Sequence, residues 1–114
     1  MKVASSSSLL AVLALVGGLS TTAKADVTDE VAAPLNEKYG LNIKKIFATK
    51  CSWCHQGYGM KRADGPKLAG TTLSQEAVAK QIRSGKSPMP GFKSQLKEEE
   101  IQALAEYIRG LPAD

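Results

Sequence analysis

The chain has 114 residues, a formal net charge of +4 and two cysteines. That length accommodates one domain, and two cysteines cannot supply the disulfide framework that staples many small exported proteins. Lys2 and Lys24 lie before an expected processing site, so processing halves the charge and leaves too small a surplus to point to nucleic acid.

The elements follow in chain order. Lys2, the apolar run from Leu9 to Leu19 and the small-x-small pattern Ala23-Lys24-Ala25 predict a secretory leader, residues 1–25, cut after Ala25. The run is shorter than the roughly 20 residues of a membrane span, so the mature chain, 26–114, is expected to have none. Residues 26–40 carry Val31, Ala32 and Leu35 at near-helical spacing, but Pro34 and Gly40 predict a short, broken helix in an N-terminal extension. Asn42 is placed to cap a helix bearing Ile43, Ile46, Phe47 and Lys50 on one stripe, which runs into Cys51. Five glycines and prolines between 56 and 72 predict a loop. Ser74 should cap a further helix through Ser84, with Gly85 as its stop. Ser87-Pro88-Met89-Pro90-Gly91 excludes regular helix. The last helix should start near Lys97, with Leu96 and Ile101 as a staple and Glu100 at N3. Its apolar face is Ile101, Leu104, Ala105, Ile108 and Leu111, and Gly110 and Pro112 end it. No alternating strand pattern is present, so the domain over 41–114 reads as all-α.

Cys51-Ser52-Trp53-Cys54-His55 is the attachment signature of a c-type haem. Two thiols about one helical turn apart can each add to a haem vinyl group, and the next residue then presents an imidazole to the iron. Rival readings fit poorly. A redox disulfide needs its Cys-x-x-Cys at a helix start after a strand, and no strand precedes Cys51. Structural zinc wants four ligands, and His55 is the sole histidine. A second histidine ligand is therefore impossible within one chain, which leaves a thioether, a lysine or an open position across the iron. Met60 follows His55 too closely to reach the far side. Met89 stands beyond a full helix, between Pro88 and Pro90, and is the expected second axial ligand.

In this arrangement the chain resembles the class I cytochrome c family over about residues 41–111. The likeness rests on Phe47, CSWCH at 51–55, Gly65-Pro66-Lys67-Leu68, the helix ending at Gly85, Met89-Pro90-Gly91-Phe92 and LAEYI at 104–108. The resemblance implies a cytochrome c-like fold of three main helices around one covalent haem c, with thioethers at Cys51 and Cys54 and axial ligands His55 and Met89. It further implies that the Pro66 carbonyl accepts a hydrogen bond from His55, and that Phe47 and Tyr107 meet where helices cross. Two residues depart from the family pattern. Gln56 stands where glycine is usual, and Lys97 takes a cap position that favours Ser, Thr or Asp, worth about 1 kcal/mol.

The function so implied is one-electron transfer by a periplasmic, soluble, monomeric carrier that is not an enzyme, between a donor dehydrogenase and an oxidase or other cytochrome. A permanently bound subunit of a periplasmic dehydrogenase, alcohol or methanol oxidising by the likeness of its YGM and GPKLAG segments, is the alternative. A gas-binding sensor would need an open iron site and fits Met89 less well. Lys50, Lys61, Arg62, Lys67, Lys86 and Lys93 either form a basic haem face or merely solvate loops, and Trp53 either borders the haem edge or packs in part. The leader makes a direct prediction. Mass spectrometry of the exported protein should show a chain beginning at Asp26 plus one haem, whereas a chain retaining Leu9–Leu19 would mean a membrane tether.

Overall fold

The structure, a computed structural model, describes residues 17–18 and 26–113. The leader's apolar run, save Gly17 and Gly18, and its Ala23–Ala25 cleavage pattern lie outside the described residues. The described chain is all-α: α1 (Val27–Tyr39), α2 (Ile43–Lys50), a 3-10 turn (Gly57–Gly59), α3 (Gln75–Ser84) and α4 (Glu98–Gly110). An isolated bridge between Lys86 and Met89 is the only β-type pairing among these residues.

The expected caps form. The Asn42 side chain accepts from the Lys45 N–H at 3.2 Å, and Ser74 Oγ accepts from the Ala77 N–H at 3.1 Å. At α4 the Lys97 N–H donates to Glu100 Oε1 at 2.8 Å. Glu100 thus supplies its half of a capping box, while a lysine side chain cannot accept the reciprocal bond.

Helix α4 is the hub, packing against α1, α2 and α3. Ala103 and Tyr107 are buried as well as Ile101, Leu104, Ala105 and Ile108. The expected single face therefore widens, because α4 meets neighbours on more than one side. Phe47 of α2 packs edge-on against Tyr107 at 5.7 Å between ring centroids, an arrangement worth about 0.5–1.5 kcal/mol beyond area burial.

Helix α1 departs from expectation. It is one continuous 13-residue helix with Pro34 inside it. An interior proline costs about 3 kcal/mol or more, so packing must offset it. Thr28 and Ala32, one turn apart, are fully buried, while Pro34 is on the exposed side. Gly110 lets α4 approach Val31 so closely that a Cβ there would lie 2.8 Å from Val31 Cγ1. At the far end Glu106 accepts from the Tyr39 hydroxyl at 2.5 Å and from Lys38 Nζ at 2.9 Å. The segment 26–40 is thus a helix seated on the hub.

This clamp is sensitive to acid. The Tyr39 hydroxyl, then the Lys38 ammonium, hold the Glu106 carboxyl below its ordinary range. A carboxyl depressed in the folded state stabilises fully above its unfolded pKa, ~4.3, and loses that contribution as pH falls through the folded value. The stability gap between wild type and Glu106→Gln in denaturant melts should therefore be constant near neutrality and close in acid. A gap that persists unchanged to about pH 2, below the ordinary carboxylate range, would contradict the assignment.

Candidate cofactor cleft

The attachment segment grows directly out of α2. The Cys51 N–H still donates to the Phe47 carbonyl at 2.8 Å. The Cys54 and His55 N–H groups then turn back to the Cys51 carbonyl at 3.2 and 2.9 Å. Both thiols are half-buried and unbridged, and His55 is buried. Burial, then the neighbouring Cys54, pushes the Cys51 thiol up to about 12. A thiol held protonated in this way is not the reactive thiolate of a disulfide oxidoreductase.

The loop after His55 returns to cover the ring. The Gly65 N–H donates to the Cys54 carbonyl at 2.7 Å, and His55 Nδ1 lies 2.8 Å from the Pro66 carbonyl oxygen. A side chain at Gly65 could not fit, since its Cβ would stand 2.6 Å from His55 Cε1. Gln56 keeps an ordinary φ of −74°, and the left-handed conformation falls instead on Gly57, Tyr58 and Gly59. For Tyr58, at φ +55°, this is a strained position, costing of order 1–3 kcal/mol. It is held by the Tyr107 hydroxyl, which donates to the Tyr58 carbonyl at 2.7 Å, and by the Lys44 ammonium 4.0 Å over its ring.

The facing segment comes from α3 and the turn after it. Gly85 stops α3 at φ +70°. Lys86 and Met89 exchange backbone hydrogen bonds at 3.0 and 2.8 Å, and the Phe92 N–H ties the turn back to the Ile82 carbonyl at 2.9 Å. Gln81, one turn before Gly85, donates from Nε2 to Met89 Sδ at 3.4 Å. Sequence reasoning missed Gln81, although a polar residue beside Val78 and Ile82 on the buried stripe of α3 was a usable signal.

These segments enclose one cleft of about 900 Å³, lined mainly by apolar groups, a size suited to a cofactor-sized ligand. Cys51, Cys54, His55, Pro66 and Met89, all the expected site residues, line it together. Met60 instead packs, half-buried, against the core. Among the described residues no group of three or more His, Cys, Asp or Glu could hold a metal ion, which leaves the zinc reading without support.

Comparison with known proteins agrees. Residues 40–108 match the family described as cytochrome c oxidase, cbb3-type, subunit III. The chain belongs to the monohaem c-type cytochromes. Cytochrome c6 of Nostoc sp. is 37% identical over 78 residues, covering 61% of this chain and 68% of that protein. Cytochrome c6 of Euglena gracilis is 35% identical over 71 residues, covering 55% and 82%. The solved structure of the KustC0563 c-type cytochrome superposes with a TM-score of 0.54 at 28% identity, covering 60% of this chain and 95% of that one. The protein is an electron-transfer protein, not an enzyme, and carries one covalent haem c. The residues present fit that group: an apolar cleft of sufficient volume, paired thiols at its margin, a buried imidazole and a thioether. No helix among the described residues is long and apolar enough to cross a membrane.

Proposed function

We propose that this cytochrome is a periplasmic one-electron carrier whose haem is tethered by Cys51 and Cys54 and ligated by His55 and Met89. The observation that carries the reading is that His55 and Met89, from separate segments, line one cleft and are each fixed by their own hydrogen bond. Bound haem supplies a ferric–ferrous couple, which His/Met ligation tunes to a raised potential. The chain's residues do the rest. The Pro66 carbonyl accepts from Nδ1–H, which fixes the imidazole tautomer and its orientation and leaves Nε2 to ligate. The Gln81 amide and the Lys86–Met89 backbone pairing hold the thioether, so that little rearrangement accompanies a change of charge. With His55 and Met89 both holding the haem, no position would be left for a substrate.

The donor would be a dehydrogenase and the acceptor an oxidase or another cytochrome, and docking would be electrostatically guided. Between residues 41 and 97 the only acidic side chains are Asp64 and Glu76, and every other charged residue there is basic. Lys67 and Lys86 border the cleft itself, with Asp64 as its one carboxylate. A partner with an acidic patch matches that distribution. The family's description as an oxidase subunit favours a second reading, a bound relay rather than a free carrier, and gel filtration of native extract separates the two.

Replacing Met89 by alanine tests the ligand set. The absorption band arising from sulfur-to-ferric-iron charge transfer should disappear while haem remains covalently attached, and Met60→Ala should leave the band intact. Persistence of the band in Met89→Ala would overturn the assignment.

A further inference from the structure

The largest side chain in the molecule is left in solvent. Trp53, the one tryptophan, is 83% exposed, although the fold buries Phe47 and Tyr107 completely. This removes the reading of Trp53 as a partly packed residue. Its position is not that of an incidental surface aromatic. It sits between Cys51 and Cys54, the two residues that tether the haem, so whatever covers the indole lies within a residue of the covalent attachment. The turn that displays it is rigid: the Ser52 N–H and hydroxyl both donate to the Phe47 carbonyl, at 3.1 and 3.3 Å, and Cys54 closes back on Cys51.

The surrounding sequence is mostly cationic. Lys50 precedes the turn, and its Nζ donates to Gln95 Oε1 at 3.2 Å. From Leu41 to Ala63 every charged residue is basic, and the nearest carboxylate in sequence, Asp64, adjoins Gly65, whose N–H is bound to the Cys54 carbonyl. An exposed aromatic on a preorganised turn, in a stretch of chain whose charged residues are basic, has the composition of an interface anchor: aromatic side chains dominate the binding energy, while charges set the encounter rate.

We propose that Trp53 is the docking anchor of the electron-transfer surface, inserting into an apolar recess on a redox protein whose rim carries carboxylates. The inference rests on the carrier reading above and adds to it the residue that holds the complex together. A protein partner is favoured over an anionic membrane surface, because a single indole on a tight turn offers no continuous apolar helix face to lie in a bilayer interface.

The test uses ferrous holoprotein and native extract, soluble and membrane fractions together, as electron acceptor. Trp53→Ala should lower the bimolecular oxidation rate about tenfold or more, and Trp53→Phe should restore most of it. The midpoint potential, the rate with ferricyanide and the fractional fall of rate with salt between ~0.01 and ~0.15 M should match wild type, because the cations remain. An unchanged rate with extract in Trp53→Ala would overturn the proposal. So would an equal loss with extract and ferricyanide, which would place the effect on the haem rather than on docking. A Trp53-dependent affinity for protein-free phosphatidylglycerol vesicles that accounts for the rate loss would overturn it in favour of a membrane surface. Wild-type protein that exchanges no electrons with the extract would instead refute the carrier reading, and the anchor with it.

Discussion

The contact between the His55 ring and the Pro66 carbonyl is the constraint from which the site follows. A histidine beside a cysteine pair can rotate through several orientations. Here a carbonyl 2.8 Å from Nδ1 selects one. That carbonyl can approach only because residue 65 has no Cβ, and because the Gly65 N–H is itself bound to the Cys54 carbonyl. The loop is then anchored at a distance: the Leu68 and Ala69 N–H groups share the Gly59 carbonyl, and the Gly70 N–H reaches Leu111 at the end of α4. Ring orientation is thus transmitted from the C-terminal helix through four short backbone contacts.

The same helix organises the segments on either side of the attachment motif. Tyr107 is buried against Phe47 and gives its hydroxyl to the Tyr58 carbonyl, so one residue of α4 fixes both the helix that leads into Cys51 and the turn that leads out of His55. Burial removes the Tyr107 phenol from water and pushes its ionisation well above the ordinary range. It therefore stays a donor at any physiological pH. Cation–π contact from Lys44, worth about 0.5–1 kcal/mol at a partly exposed site, and the salt bridge of Lys44 to Asp29 at 2.7 Å tie α1 into the same cluster. Strain at Tyr58 is tolerable because the Tyr107 hydrogen bond and the Lys44 cation–π contact both oppose its release.

Much of this was legible because the signals are local. Asn42, Ser74 and Glu100 cap the helices they were expected to cap, since capping depends on spacing within one turn. The pairing of Cys51, Cys54 and His55 is likewise written in adjacent residues. What escaped depends on partners remote in sequence. Pro34 reads as a helix breaker, and only Glu106 and Gly110, more than seventy residues away, show why α1 continues through it. Tyr58 carries a positive φ that its flanking glycines would be expected to take alone. Gln81 is an ordinary helix residue until the turn at 86–89 folds back and brings the Met89 sulfur to its amide. The exposure of Trp53 could be read either way from composition, because the chain around it does not say which side of the turn faces out.

Ligation by both His55 and Met89, as proposed, would leave no iron position open to a small gas. Carbon monoxide added to the reduced holoprotein at neutral pH addresses this most directly, because the gas competes only for an open or weakly held position on ferrous iron. The visible spectrum should be unchanged in saturating carbon monoxide. A prompt shift of the Soret band in the native protein would show an accessible sixth position and contradict that ligation.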